Sequence, residues 1–261
     1  MLLQDNFHKK IVYLASNCES SRWVYNALSV NFKIDAAIIE NPISKIKLTK
    51  GRIKRIGLIK VTGQVLFSAF MAPILRWKSK KRKTELVNLY HLNSNPFKTD
   101  HTIFVNAVND NKCKQLIEEI QPDIIIVNGT RIISKKILQS TDAIFINMHV
   151  GITPWYRGSH GGYWAIANKD AENFGTTIHL IDAGVDTGPV LKQVFIQPSK
   201  KDNFSTYPVL QVAIGISALK EVLSSLISGT LHSQVSVETG KMYYQPTLWE
   251  YLIKRKKPTT L

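Results

Sequence analysis

Short apolar runs alternate with amphipathic segments along much of the chain. Residues 11–16 and 34–40 are apolar runs of strand length, and the stretch between them, about 22–30, has the apolar spacing of a helix. A strand, a helix and a second strand in this order predict a parallel sheet with helices on its faces. No G-x-G-x-x-G turn follows the first strand, so nothing in the sequence supports a dinucleotide site.

The same alternation returns in the second half of the chain. Further strands are predicted at 89–92, 102–105, 123–127, 143–146, 175–181 and 190–197. Helices are predicted at 109–120, 134–140 and 205–228, and the Pro- and Gly-rich stretch 151–162 is expected to be loop. The fold class predicted by these elements is α/β.

Residues 45–90 interrupt this alternation. The stretch 45–83 has thirteen Lys or Arg and no Asp or Glu, and the segment 56–75 inside it is mostly apolar. A lysine, a glutamine and a proline interrupt that segment, which disfavours a membrane-spanning helix. We predict a basic helical insertion, and three interpretations stay open. It packs against the body or a second subunit, it lies on an anionic membrane surface, or, least favoured, it binds nucleic acid.

The insertion accounts for nearly all of the charge imbalance. The 261 residues carry 34 Lys+Arg and 19 Asp+Glu, and removing the thirteen cations of 45–83 leaves 21 basic residues against 19 acidic ones. The remainder is nearly neutral, unlike a nucleic-acid coat protein. Two cysteines exclude a disulfide scaffold. The polar first ten residues lack the apolar core of a signal peptide, so we expect a cytoplasmic protein.

One polar cluster follows the strand predicted at 143–146. Asn147 and His149 lie two residues apart at its carboxyl end and therefore share one face. Open α/β sheets bind their ligands at this edge. Asp186 lies in a Gly-rich loop between two predicted strands, from which a carboxylate reaches a histidine on a neighbouring strand end. These three side chains are the candidate catalytic group.

The motifs around these residues resemble those of the tetrahydrofolate-dependent formyltransferases, which include glycinamide ribonucleotide, methionyl-tRNA and nucleotide-sugar N-formyltransferases. The shared motifs are Asn-x-His at 147–149, Pro-x-x-Arg-Gly at 154–158, Gly-x-Thr-x-His at 175–179 and Asp-Thr-Gly-Pro at 186–189. The resemblance is specific over about 122–193, weaker over 11–40, and absent from 45–90.

This resemblance implies a Rossmann-like sheet, 10-formyltetrahydrofolate as the formyl donor, and Asn147, His149 and Asp186 as catalytic residues. It implies no metal. It also implies two loops around the pterin ring of the folate, formed by Asn128, Gly129, Thr130, Arg131, Ile132 and Ile133 and by Ala183, Gly184, Val185 and Asp186. Thr177 and His179 are implied to support the catalytic group without contacting the substrates.

Formyl transfer to an amine needs these chemical groups. Negative charge develops on the formyl oxygen, and one preorganised donor aimed at it raises the rate by about 10²–10³-fold. Asn147 has an amide N–H for this role, and His149 as an imidazolium can donate too. His149 also suits proton transfer near neutral pH. Asp186 would orient the imidazole and favour its charged form.

The residues after the catalytic strand are the candidate acceptor site. Trp155 and Tyr156 suit stacking on a sugar or a base. Arg157 either binds an anion or braces backbone carbonyls, and His160 either lines the acceptor site or is structural. The chain has Gly-Ile-Thr-Pro at 151–154 where many members have Ser-Leu-Leu-Pro, a change that bears on which acceptor is used.

Elimination within the family favours an amino-sugar acceptor. Methionyl-tRNA formyltransferases carry a further C-terminal domain, for which 229–261 is too short. Purine-pathway members lack an insertion like 45–90 and often have a Gly-Ser-Asn phosphate loop where this chain has Glu19. We therefore expect a formyltransferase catalytic domain over 1–228 and an extension over 229–261, most simply a solvated tail.

The expected reaction is N-formylation of an amino sugar, nucleotide-linked, in surface-glycan synthesis. A homodimer and attachment to the inner membrane surface are further expectations. Two alternatives stay open: formylation of a non-sugar amine, and a membrane-surface or nucleic-acid-binding protein built on an inactive formyltransferase body.

Overall fold

A seven-stranded sheet forms the centre of this computed structural model, which describes residues 9–231 and 240–256. The strands of the described residues are β1 (Ile11–Ser16), β2 (Ala36–Glu40), β3 (Thr102–Val105), β4 (Ile124–Asn128), β5 (Ile144–His149), β6 (Tyr156–Gly158), β7 (Gly175–Leu180), β8 (Val190–Phe195) and β9 (Lys241–Tyr243). The large sheet has the order β3-β2-β1-β4-β5-β7-β8, and β6 pairs with β9 separately. Strands β1 to β5 are parallel, whereas β7 runs antiparallel to β5 and β8.

Helices cover both faces of the large sheet, which is why its central strands read as continuous apolar runs. The helices outside the insertion are α1 (Glu19–Leu28), α6 (Asn111–Ile120), α7 (Lys135–Leu138), α8 (Gly161–Ala167), α9 (Tyr207–Ile227) and α10 (Leu248–Lys256). Alternate residues of β1 enter opposite cores: Tyr13 packs with residues of α1 and α9, and Leu14 packs with residues of α6 and α7. The predicted Rossmann-like α/β fold is confirmed.

The basic insertion is helical, as predicted. Its helices are α2 (Lys45–Ile56), α3 (Leu58–Leu66), α4 (Ala72–Lys78) and α5 (Lys80–Leu89), and a π turn at Phe67–Met71 joins α3 to α4. Phe67 is fully buried, with its ring centroid 4.8 Å from that of Phe204 and 5.2 Å from that of Tyr251. Arg82 binds Asp202 at 2.8 Å (Nε to Oδ1). One side of the insertion is therefore packed against the body.

By length and composition alone, two helical segments of the described residues could cross a membrane, Leu58–Lys78 and Tyr207–Ile227. The second is the core helix α9, which packs against β7 and β8. Eleven of its residues are buried, among them Leu219 and Leu223, which are fully enclosed. Its apolar composition is therefore explained by the core of the protein.

The strand predicted at 89–92 is wrong. Helix α5 continues to Leu89, a turn follows, and the chain is irregular from Leu92 to Lys98. Leu86 and Leu92 are both buried in the core beneath α5. The apolar residues here serve the packing of a helix end, and a four-residue window does not separate that pattern from a strand.

Two further expectations need correction. The stretch 151–162 contains β6 and the first residues of α8, because a partner strand, β9, arrives from the distant C-terminal part of the chain. The same pairing corrects the solvated tail. β9 and α10 pack on the body, with Tyr251 buried and Trp249 seated on Gly63 of α3. The rest of the predicted tail, 232–239 and 257–261, lies outside the described residues.

Candidate active site

The polar cluster lies where β5 and β7 run side by side. Their antiparallel register places Asn147 opposite His179 and His149 opposite Thr177. The amide Nδ2 of Asn147 lies 3.1 Å from Nε2 of His179. Asp186 approaches both imidazoles, with carboxylate–nitrogen distances of 3.5 Å to Nδ1 of His149 and 3.7 Å to Nε2 of His179. The structure thus brings one amide, two imidazoles and one carboxylate together.

The neighbours of His179 determine its tautomer. Its Nδ1 lies 2.7 Å from the carbonyl oxygen of Leu180, which only accepts, so Nδ1 carries the proton. Its Nε2 faces both the side-chain amide of Asn147 and the carboxylate of Asp186. His179 therefore positions the amide of Asn147 beside that carboxylate.

His149 stands between two acceptors. Its Nε2 donates to the carbonyl oxygen of Tyr156 at 2.9 Å, and its Nδ1 faces the carboxylate of Asp186. A proton on either nitrogen therefore meets an oxygen acceptor. The side chain is 6% exposed. This burial strengthens its interaction with the carboxylate by excluding water.

Asp186 is held ionised. Burial by itself would raise its pKa, but His149, His179 and the N–H of Gly158 together hold the pKa of the carboxyl well below its ordinary value. The Gly158 N–H donates to Oδ2 at 2.8 Å. The loop itself is shaped by Asp182, which accepts from the Gly184 N–H at 2.9 Å and from the Thr187 hydroxyl at 2.7 Å. Asp182 thus positions the loop that carries Asp186.

The predicted acceptor residues occupy different environments. Arg157 braces backbone carbonyls, because its Nε donates to Val185 at 2.9 Å and its Nη1 to Gly240 at 3.3 Å. The ring of Tyr156 is buried and stacked on Tyr243, and its hydroxyl donates to Asp170. Tyr156 therefore offers its backbone carbonyl, rather than its ring, to the site.

His160 and Trp155 differ in exposure. His160 precedes α8 with φ +61°, and its ring lies 4.6 Å from the ring of Phe204. Burial, with a smaller contribution from Arg52, lowers the pKa of His160 to about 4, so the ring is neutral at physiological pH. Trp155 is 46% exposed and is free to stack on a ligand. The acceptor-binding role of these residues stays a prediction.

The first predicted folate loop is braced against the end of β2. The buried carboxylate of Glu40 pairs with Nε of Arg131 at 2.8 Å and accepts the backbone N–H of Arg131 at 2.9 Å. Asn128 is buried at the end of β4, and Gly129 has φ +66°, a conformation that favours glycine. None of the sequence motifs points to Glu40. A charged residue closing a buried strand was its only sequence signal.

The exposed parts of the two predicted folate loops suit a flat ring with polar edges. Ile132 is 47% exposed in the first loop, and Ala183 and Gly184 are exposed in the second. An apolar side chain together with backbone N–H and C=O groups is the usual lining of such a site. The carbonyl of Val185 already accepts from Arg157. The roles of these residues toward folate stay predictions.

Residues 74–208, just over half of the chain, match the sequence profile of the family described as Formyl transferase. Among curated proteins, the methionyl-tRNA formyltransferase of Thermodesulfovibrio yellowstonii is 31% identical over 141 residues, 54% of this chain and 44% of that protein. The corresponding enzyme of Myxococcus xanthus is 36% identical over 118 residues, 44% of this chain and 37% of that protein. The chain thus spans less than half the length of these relatives.

Solved structures share the fold. A sugar N-formyltransferase from Shewanella sp FDAARGOS_354 has a TM-score of 0.55 at 17% identity, covering 90% of this chain and 76% of that one. An N-formyltransferase from Helicobacter canadensis, solved with folinic acid and dTDP-3-aminofucose, has a TM-score of 0.56 at 14% identity, covering 89% and 70%. The family uses 10-formyltetrahydrofolate. From the profile match, with the fold in agreement, the chain belongs to the formyl transferase family.

Proposed function

We propose that this chain transfers the formyl group of 10-formyltetrahydrofolate to the amine of an amino sugar. The observation that carries the proposal is the contact group at the end of β5: Asn147 against His179, and His149 against Asp186. It combines an amide donor, a buried imidazole and an ionised carboxylate at the edge of the sheet where α/β proteins bind ligands. The fold and the family agree with it.

Each group has one task in the transfer. The folate supplies a formyl group on a nitrogen that leaves once it is protonated. The free N–H of Asn147 donates to the formyl oxygen as negative charge develops there. The acceptor amine bonds to the formyl carbon, and the bond from that carbon to the folate nitrogen breaks. His149 carries the proton that the amine loses to that nitrogen, and Asp186 orients the imidazole.

The acceptor is the finer part of the proposal. Sugar N-formyltransferases are among the proteins that share the fold, and one was solved with dTDP-3-aminofucose. The exposed ring of Trp155 suits stacking on a nucleotide or sugar. The curated relatives act on methionyl-tRNA, but this chain matches less than half of their length. We favour a nucleotide-linked amino sugar of surface-glycan synthesis, formylated in the cytoplasm, where the family typically acts.

A panel of acceptors tests this proposal. The purified chain is incubated with 10-formyltetrahydrofolate and nucleotide-linked amino sugars, with methionyl-tRNA and glycinamide ribonucleotide as comparison acceptors. The mass gain of one formyl group identifies the product. Formylation of tRNA or the ribonucleotide alone would overturn the amino-sugar assignment. A chain that neither binds folate nor formylates any acceptor would instead support the inactive-body alternative.

A further inference from the structure

The continuous helical segment Leu58–Lys78 is apolar on two opposite sides. Its inner side packs on the body through residues such as Phe67 and Leu75, which are buried. Its outer side exposes six large apolar side chains, each between 48% and 78% exposed: Leu58, Ile59, Val65, Phe70, Ile74 and Trp77. Contiguous exposed apolar surface of this kind marks an interaction site on a soluble protein.

The helix geometry keeps these side chains on one side. Leu58 and Val65 are two turns apart, and Phe70, Ile74 and Trp77 follow one another at steps of four and three residues. The single step of five, from Val65 to Phe70, spans the π turn at 67–71. Because a π turn takes an additional residue, it restores the stripe to the same side.

Cations flank this stripe along the sequence. Eight of the thirteen Lys and Arg side chains in 45–83 are exposed and make no ion pair with any residue of 9–231 or 240–256: Lys50, Lys54, Arg55, Lys60, Arg76, Lys78, Lys80 and Lys81. Arg82 and Lys83 serve a different purpose, since they pair with Asp202 and Glu19 and fasten the segment to the body. The sequence 45–83 has no acidic residue.

We propose that the outer side of Leu58–Lys78, together with these eight cations, docks the protein on the anionic surface of a lipid bilayer. We call it the docking surface. An apolar stripe bordered by Lys and Arg is the pattern of a helix lying in the headgroup region, with its apolar side chains at the acyl boundary. Trp77 suits that depth, because its ring is apolar and its N–H is polar.

The charge argues against a second copy of the chain as the occupant. Two docking surfaces brought face to face would place cations against cations with no acidic residue of 45–83 to compensate. The packing argues against insertion across the bilayer, because Gln64 is buried and donates to the carbonyl of Gln245 at 2.8 Å. An anionic lipid surface is complementary to both the charge and the apolar stripe. This proposal does not depend on the acceptor or on the chemistry of the site.

Vesicle sedimentation of the full chain tests the proposal. The probes are vesicles of phosphatidylcholine with phosphatidylglycerol, and vesicles of phosphatidylcholine alone, each at low and high salt. We expect sedimentation with the mixed vesicles at low salt, at least tenfold weaker partitioning onto the neutral ones, and weakening by salt through screening.

Matched variants locate the binding. Two double variants change the docking surface, and each should lower partitioning at least tenfold. One reverses charge (Lys80→Glu with Lys81→Glu), and the other removes apolar side chains (Ile59→Ser with Trp77→Ser). Two controls change exposed residues elsewhere and should leave partitioning unchanged. They are the double variant Lys200→Glu with Lys201→Glu and the single variant Val30→Ser. Thermal melting verifies that every variant is folded.

Three results would overturn the proposal. The first is no sedimentation with mixed vesicles even at low salt. The second is sedimentation that neither docking-surface variant weakens. The third is a doubled mass in light scattering, without vesicles, that the apolar variant abolishes, which would assign the surface to a second copy of the chain.

Discussion

Asp186 adopts a left-handed backbone conformation, with φ +51°. Asp tolerates this region better than most residues, but it still costs free energy and persists only where the surroundings impose it. Here the carboxylate accepts the Gly158 N–H and faces His149 and His179. The contacts that hold Asp186 in this strained conformation are the same contacts proposed for catalysis, as expected of a functional residue.

We expect His149→Ala and Asp186→Asn each to lower turnover by about 10² or more, with folate affinity largely kept. The first removes the proton carrier, and the second removes the negative charge that faces and orients the imidazole. Turnover is measured by steady-state kinetics with both substrates saturating, and folate affinity by fluorescence titration. Near-wild-type turnover in either variant would contradict the assigned roles, and His101→Ala, an exposed histidine elsewhere, is the matched control.

His160 gives the protein a pH-dependent stability. Because its pKa is about 4 in the folded chain and about 6.5 when unfolded, the unfolded state takes up the proton first as pH falls. This histidine therefore lowers the free energy of unfolding progressively between about pH 6.5 and pH 4, by up to about 3 kcal/mol.

His160→Asn should reduce this acid sensitivity, since Asn tolerates the left-handed backbone and does not titrate. The measurement is urea unfolding of both proteins at pH 7.5 and pH 4.5. The wild type should lose more stability than the variant over this interval. Equal losses of unfolding free energy in the wild type and the variant would show that the His160 ring takes up its proton in the folded state.

At the scale of elements, the pairing of β6 with β9 connects the site to the C-terminal part of the chain. Gly158 ends β6 with φ +89°, and its N–H donates to Asp186. A Cβ built there would lie 2.3 Å from the backbone oxygen of Tyr243 in β9. The strand pair therefore approaches as closely as only glycine permits, and it positions one of the groups that hold the carboxylate.

Gly158→Ala should destabilise the protein by more than about 2 kcal/mol and lower turnover, because both the left-handed strain and the backbone clash must be relieved. Gly57→Ala is the matched control. It has a similar φ of +83° with nothing within 4 Å of the added Cβ, so it keeps the backbone strain of about 1–3 kcal/mol without the clash and should lose less stability than Gly158→Ala. Urea unfolding compares the two. Equal losses of unfolding free energy in the two variants would show that β9 shifts to accommodate the methyl group.

At the scale of the whole molecule, the charge and the chemistry lie in separate parts of the sequence. The cations concentrate in the insertion, and the proposed catalytic group lies in the nearly neutral remainder. Arg82 and Lys83 join the two parts through Asp202 and Glu19. The homodimer expected from the sequence stays a prediction.

The sequence by itself determined the features that are local along the chain. The apolar runs at 11–16 and 123–127 predicted buried parallel strands, because burial on both faces leaves a continuous apolar pattern. Asn147 and His149 were placed on one face of a strand end because side chains alternate with a period of two. The motif order then pointed to the family, and counting charges isolated the insertion.

Only the tertiary structure decided the features that join distant segments. The pairing of β6 with β9 and the docking of α10 on α3 bring residues near 155 and 60 against residues beyond 240, and no local pattern encodes such contacts. The bracing role of Arg157 and the neutral state of His160 likewise depend on residues distant in sequence, Gly240 for the first and Phe204 and Arg52 for the second. Backbone donors such as Gly158 N–H are invisible in sequence because every residue except proline carries one, and only the fold aims it at a carboxylate.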